Sequence, residues 1–392
     1  MQTNVSTLKY KQIYRDLQLA IASGEYKEGQ RLPSEAKLVE QFRTSRGTVA
    51  RALQLLQHQG LVERRAGSGT YVRSADGDGA RSHVFGLLIP DRGETEIFEP
   101  ICQGMAQAEG ASRHALLWGN TTHGAGTKEK QAEQLCECYI ARRVSGVFFA
   151  PLELTPDKDE VNERIAHALD EAGIPVVLLD RCIYEYPRRS RYDLVGVDNR
   201  RAGFTVTEHL LKLGCRRIAF IVRPNSASTA NARIAGYREA LYAYGATVGP
   251  DCIRRGDSSD HDFVRGIMDE LRPEAFVCAN DHTAAHLMHS LSALGLCIPA
   301  DVRIVGIDDV RYASLLPVPL TTLHQPCQDI GATAIGAMLY RITHPSTPAR
   351  DILLDCKLIV RQSCGAALES GGESPAFVGH KNAGERGPVV TF

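Results

Sequence analysis

The sequence predicts an α/β protein whose body is two lobes built on parallel sheets, preceded by a small helical head that ends in a β-hairpin. Three observations carry that prediction. From residue 84 onward, short runs rich in Val, Ile, Leu and Phe recur, each bounded by turn residues. Amphipathic stretches of helical length separate these runs, which is the pattern of parallel strands covered by helices on both faces. Before residue 73 the pattern differs: apolar residues recur first at helical spacing and then, after Gly60, at strand spacing.

The head comes first in the chain. Residues 8–22 read as a helix with Ile13, Leu17 and Ile21 on one face. Ser34 is placed to cap a second helix, whose early turn carries Glu35 and whose apolar stripe is Leu38, Val39 and Phe42. A short turn, Arg43-Thr44-Ser45, leads to a third helix from about Arg46 to Gln59, with Val49, Leu53 and Leu56 facing inward. Two helices joined by a tight turn make a helix-turn-helix, whose second helix enters the major groove of DNA. Leu61–Arg65 and Thr70–Arg73 flank Ala66-Gly67-Ser68-Gly69 as a hairpin with glycines at its tip. Arg64 and Arg65 beside that tip make a wing suited to the phosphate backbone or the minor groove. Charge agrees. Residues 1–73 hold 12 Lys and Arg against 6 Asp and Glu, a net +6, while the whole chain is −1, so the remainder is −7. A basic block ahead of an acidic body assigns the polyanion to the block.

The body follows a polar, Gly-rich linker, and a similar composition returns in a tail that reads as disordered. The domains predicted are therefore residues 1–73, a linker at 74–83, the two-lobed body at 84–365 and the tail at 366–392. The apolar runs are Val84–Pro90, His114–Gly119, Gly146–Pro151, Ile174–Asp180, Leu194–Asp198, Arg217–Val222, Ala275–Ala279 and Ile304–Asp308. The helices between them are 99–112, 127–142, 157–173, 199–213, 230–245, 260–271 and 281–295. So many strands exceed one compact core, hence two lobes. In such sheets ligands sit beyond the carboxyl ends of the strands, where this chain places Asp91, Asp180-Arg181, Asp198-Asn199, Asn280-Asp281 and Asp308-Asp309. Carboxylates and amides there suit a hydroxyl-rich ligand.

Two resemblances sharpen this reading. Leu32-Pro33-Ser34-Glu35, Thr44-Ser45-Arg46-Gly47-Thr48-Val49, Ala52-Leu53, Gly60-Leu61 and Gly67–Val72 follow one another as in the winged helix of the GntR family of bacterial regulators. That resemblance implies DNA contacts from Arg31, Ser45, Arg46, Thr48 and Gly67, beside the wing's Arg64 and Arg65. Where the family has Thr-Val-Arg, this chain has Ala50, with Arg51 next to it. Successive helix positions are about 100° apart, so Arg51 is a candidate contact but no simple substitute. Residues 84–363 resemble the effector-binding half of LacI/GalR repressors, a type I periplasmic-binding-protein fold, through Val84–Asp91, Ile174–Arg181, Val197–Asn199, Arg217–Ile221, Ala232–Tyr237, Ala279–Asp281, Ile298–Asp309 and Pro319–Leu323. This second resemblance implies effector contacts from Arg233, Asn280 and Asp308, with Asp91, Phe98, Asp180 and Gln325 as further candidates. Phe98 reads equally as a ring stacked on a sugar face and as plain core. Asp281 reads as the N-cap of the helix that starts there. Together the two halves form an arabinose-repressor-like architecture.

The function expected is a cytoplasmic transcriptional repressor that binds operator double-stranded DNA as a homodimer and is switched by a small polar effector, a sugar or sugar derivative. No cofactor or metal is expected. The 11 cysteines are scattered, Cys136 and Cys138 lack a second ligand pair, and the 13 histidines show no metal spacing. No apolar run approaches the roughly 20 residues of a membrane span, and Met1-Gln2-Thr3-Asn4 opens no secretory signal. The alternatives are an α/β enzyme acting on a nucleotide or sugar and a sugar-binding transport receptor. The first lacks any G-x-G-x-x-G after the first strand, any phosphate-cradling P-loop and any G-x-S-x-G elbow; the second fits neither the N-terminus nor the basic head.

Overall fold

The computed structural model describes residues 10, 12–14, 16–18, 20–21, 25–27, 29–58, 61–65, 69–72, 82–89, 96–119, 127–246 and 252–366. The expected linker up to residue 81, Gly67, Asp91 and the tail from 367 lie outside them. Contacts divide the chain into two units, residues 1–83 with 113–115 and the remainder.

In the head, the described residues between 10 and 21 are helical, and Tyr10, Ile13 and Leu17 are buried. Helix α1 (Glu35–Gln41) starts at Ser34, whose Oγ accepts from the Lys37 N–H at 3.3 Å. A turn through Arg43, in the left-handed region at φ 45°, leads to α2 (Arg46–His58). Val49, Ala52, Leu53 and Leu56 of α2 meet Leu38 and the residues of the first helical segment in one core. Strands β1 (Val62–Arg65) and β2 (Gly69–Val72) pair antiparallel, Arg64 opposite Thr70. A feature not evident in the sequence completes the wing. Residues 29–32 lie along β2, with Leu32 N–H donating to Thr70 O at 2.8 Å and Val72 N–H to Gln30 O at 2.8 Å. Arg31 is thereby set against Gly69, where a Cβ would lie 2.6 Å from the Arg31 Nε; that glycine also holds φ +122°.

The body contains two six-stranded sheets. The first comprises β3 (Val84–Leu88), β4 (Ala115–Trp118), β5 (Gly146–Phe149), β6 (Val176–Leu179), β7 (Asp193–Val197) and β13 (Asp351–Leu354), in the order β4-β3-β5-β6-β7-β13. The second comprises β8 (Ile218–Val222), β9 (Ile253–Arg255), β10 (Ala275–Cys278), β11 (Arg303–Asp308), β12 (Thr321–His324) and β14 (Lys357–Ile359), in the order β9-β8-β10-β11-β12-β14. The two orders are the same, so the lobes repeat one another. Strands β3, β5, β6, β7 and β13 pair in parallel, as do β9, β8, β10, β11 and β12, while β12 pairs antiparallel with the edge strand β14.

Alternate strand residues face opposite layers. Phe85, Leu87, Phe148, Val177 and Leu179 pack under α3 (Phe98–Gln107) and α10 (Cys327–Thr343), while Leu88, Val147, Phe149 and Leu178 pack under α4 (Lys128–Ala141) and α5 (Lys158–Glu171). In the second lobe, α6 (Asn199–Lys212) and α7 (Ser228–Ala243) cover one face and α8 (His261–Leu271) and α9 (Asp281–Ala293) the other. The chain crosses between lobes at β7 to α6, at β12 to α10 and at β13 to β14. Helix α10 and strands β9, β12, β13 and β14 add to the elements expected from periodicity. α10 (CQDIGATAIGAMLYRIT) buries Cys327, Ile330, Gly331, Ala334, Ile335 and Met338 against the sheet and α3, while its other face carries Ala332 and Gly336 among few polar residues, so the contrast between its faces is weak. The added strands have only three or four residues each, and β9, β13 and β14 are edges.

Candidate DNA-reading and effector sites

In the head, Ser45 precedes α2 and its Oγ accepts from the Thr48 N–H at 3.3 Å, with the two hydroxyl oxygens 2.8 Å apart. Ser45 therefore caps the second helix of the helix-turn-helix and is itself exposed; Thr48 is largely buried by that contact. Arg46, in the first turn, projects with its side chain 83% exposed. Arg51 lies on another side of α2, its guanidinium 4.4 Å from the centre of the Tyr10 ring. Arg64 sits on β1 and Arg31 against β2, so both belong to the wing. Arg65 ends β1; Gly67 falls outside the described residues.

In the body, buried charges collect where β6 and β11 end. Asp180 and Asp308 occupy those ends with φ of 66° and 131°, and Asp309 follows at 55°. Non-glycine residues held there store about 1–3 kcal/mol each, the kind of strain that clusters at functional sites. Arg233, on α7, is equally buried. Its Nε donates to Asn199 Oδ1 at 2.8 Å, its Nη1 to Ala279 O at 2.6 Å, and its Nη2 lies 3.5 Å from Asp308 Oδ1. The Gln325 Nε2 donates to the same Asp308 oxygen at 2.7 Å. Burial pushes the Asp308 carboxyl up to about 7, against the pull of Arg233 and with the push of Asp281 and Asp180. Burial also raises Asp180, opposed by Arg181 and Arg233. Two fully buried acceptors, Asp180 Oδ1 and Gln325 Oε1, have no hydrogen-bond partner among the described residues. Leaving such groups unmet is costly, so they point to a donor that arrives with a ligand. A cleft of about 520 Å³ reaches Asp308 and Gln325 from the side of α3, between Glu96, Glu99 and Gln103 and residues 309–311. That volume falls within the roughly 300–1,000 Å³ of small-molecule sites.

The structure thus brings Asp180, Arg233, Asp308 and Gln325 together. Phe98 is buried in the core under α10, and the Arg181 guanidinium lies 5.4 Å from its ring centre. Asn280 stands apart from the cluster's hydrogen bonds. Its Oδ1 accepts from the Thr283 N–H at 2.9 Å, so Asn280 is the N-cap of α9. This corrects the expectation for Asp281, which is fully buried and accepts instead from Thr322 Oγ1 at 2.6 Å and the Val310 N–H at 3.1 Å, anchoring the turn after β11. Sequence reasoning gave no role to Asn199, whose amide anchors Arg233, or to Arg181, which pairs with Glu153. Arg181 and Asn199 stood at the strand ends already singled out; Glu153 carried no signal. Its other oxygen accepts from the Ala227 N–H at 3.3 Å, joining the two lobes.

A helix-turn-helix with a basic wing, joined to a two-lobed body with a buried polar cluster at the carboxyl ends of its strands, defines a ligand-responsive transcription regulator. Residues 9–72 match the family model of bacterial regulatory proteins of the gntR family, and residues 207–364 match that of the periplasmic binding protein-like domain. The chain is 28% identical over 366 residues to the arabinose metabolism transcriptional repressor of Geobacillus stearothermophilus, covering 91% of this chain and 97% of that protein. It is 26% identical over 287 residues to the ribose operon repressor of Escherichia coli K12, covering 72% and 82%. A crystal structure of the transcription regulator GntR from Chromobacterium violaceum superposes with a TM-score of 0.57 at 27% identity, over 72% of this chain and 99% of that one. The chain thus joins a DNA-binding domain of the gntR family to a periplasmic-binding-protein-like domain, and the relatives and the solved structure it matches are transcription regulators.

Proposed function

We propose that this protein is a cytoplasmic repressor of a carbohydrate operon, released or recruited by a sugar that binds between the lobes of its body. The observation that carries the reading is the pair of orphaned acceptors, Asp180 Oδ1 and Gln325 Oε1, beside the Arg233–Asp308 pair. Sugar hydroxyls are donors that satisfy such acceptors, and a planar guanidinium holds hydroxyl oxygens in pairs. The relatives named for arabinose and ribose metabolism favour a sugar of that size. Asp91, Phe98 and Asn280 are carried as further candidate contacts from the sequence: Asp91 lies outside the described residues, Phe98 is core beneath α10 and Asn280 caps α9.

Position explains how binding is felt. Asn199 lies at the crossover from β7 to α6 and Gln325 at the crossover from β12 to α10. A ligand that engages Arg233, Asp308 and Gln325 therefore bears on the segments about which the lobes move. It shifts the equilibrium by its difference in affinity for open and closed forms. At the head, Arg46, Ser45 and Thr48 at the start of α2 are assigned to the major groove, Arg31, Arg64, Arg65 and Gly67 to the wing contacts, and Arg51 to the flank of α2. A homodimer presents two such heads to a palindromic operator.

The experiment is a mobility shift on the duplex most enriched by the wild type from a randomised library, with and without L-arabinose and D-ribose, in the wild type and Arg233→Ala. The expected result is a sugar-dependent change in DNA affinity that Arg233→Ala abolishes while it keeps sugar-free binding. An unchanged sugar response in Arg233→Ala overturns the pocket.

A further inference from the structure

We propose that Glu35 is a positioning residue of the DNA-reading surface, whose single carboxylate holds Arg46 of α2 and Arg64 of the wing in one arrangement. The proposal rests on the reading of the head given above. Glu35 is the first residue of α1, fixed by the Ser34 cap before it, and its side chain is 18% exposed. One of its oxygens, Oε2, faces Arg46 Nε at 3.4 Å; the other, Oε1, accepts from Arg64 Nη2. The carboxylate thus ties together three elements, α1, α2 and β1. The two arginines are themselves open, 83% and 55% exposed, and each retains N–H groups that Glu35 does not use.

Two physical arguments give this bridge a purpose beyond stability. Exposed ion pairs contribute little to folding, so the bridge is not what holds the head together. A carboxylate in the middle of a basic surface also opposes phosphate, and simple attraction to a polyanion is better served without it. What it supplies is order. Two long side chains that would otherwise surrender their rotamer freedom on meeting DNA are already held, with a fixed spacing between a groove-facing and a wing-facing guanidinium. Such an arrangement favours the sequence-specific complex over the non-specific one.

The test uses the full-length chain and two probes: the duplex most enriched by the wild type from a randomised library, and poly(dI-dC). Glu35→Gln removes the charge and keeps the shape. The expected result is an affinity for the selected duplex lower by about tenfold, the scale of one good base contact, while affinity for poly(dI-dC) stays equal or rises. The loss on the selected duplex disappears when Glu35→Gln is made in an Arg46→Ala, Arg64→Ala background. Equal gains on both probes would show a mere like charge beside phosphate and overturn the proposal, as would an undiminished loss in the double-alanine background. If Arg46→Ala weakens the selected complex but Glu35→Gln does not, the bridge alone is wrong. If Arg46→Ala also binds as the wild type does, the assignment of α2 to the groove falls and takes the bridge with it.

Discussion

Replacing Asp308 by asparagine removes a titration from the middle of the body, and its effect has a definite sign. The folded chain holds the Asp308 carboxyl at about 7 rather than at 3.8, chiefly because it is buried. Its proton is bound more tightly in the folded state than in the unfolded one. This contribution to stability is therefore full below pH 3.8, is lost as pH rises to about 7, and stays lost above it. At about 1.4 kcal/mol per pH unit the whole window amounts to about 4 kcal/mol, of which about 3 kcal/mol falls between pH 5 and pH 8. Asparagine keeps an oxygen for Arg233 and Gln325 but cannot ionise. Relative to the wild type, Asp308→Asn should gain about 3 kcal/mol on going from pH 5 to pH 8. The single tryptophan, Trp118, lies in the body and reports urea unfolding of both proteins at the two pH values. Because Asp180 and Asp281 repel the Asp308 charge, removing that charge also eases their ionisation, which adds to the variant's gain in the same direction. A difference that is the same at pH 5 and pH 8 would refute the account of a carboxyl strained by burial.

Asp193 should behave with the opposite sign. It is fully buried, and although burial raises its carboxyl, hydrogen bonds from Arg350 and Arg341 hold it below the usual 3.8. Its stabilisation is present above pH 3.8 and lost in acid, so Asp193→Asn should cost about 3–5 kcal/mol at neutral pH, a deficit in urea unfolding that narrows as pH falls. In Gly236→Ala the new Cβ would stand 1.8 Å from the Arg200 carbonyl oxygen, forcing α6 and α7 apart. A cost of about 1–3 kcal/mol and a weakened sugar-induced thermal shift are expected, since Arg233 rides on α7. Gly69→Ala meets both a positive φ and the Arg31 guanidinium; it should weaken operator binding in a mobility shift while sugar binding, followed by calorimetry, stays unchanged.

Much of the architecture was legible because periodicity is a local property. Val147, Val177 and Phe220 announced strands through their neighbours alone, and Leu38 with Val49 and Leu53 announced two helices about a turn. The carboxylates of the site were legible as well: Asp180 and Asp308 follow apolar runs, and parallel sheets place ligands there. Legibility failed where two neighbours compete for one task. Asn280 and Asp281 are both good caps, and only the approach of Thr322 and Val310 decides that Asp281 turns inward. It failed again at α10, whose outward face carries small residues such as Ala332 and Gly336, so little contrast in polarity marks the helix.

The chain's sequence by itself determined the strand and helix alternation, the basic head ahead of an acidic body, and the residue types at the strand ends. Those follow from the fixed rise and turn of regular backbone, which each stretch of residues obeys without reference to the rest. Only the tertiary structure decided which charge answers which. Arg233 meets Asp308 across 75 positions and Arg64 meets Glu35 across 29, and no local rule specifies a distance between residues so far apart. That pairing is set by the crossing of helices at glycine-sized contacts and by the docking of a wing on a helix. Through it, a list of polar side chains becomes a buried cluster with two acceptors left open and a reading surface held in register.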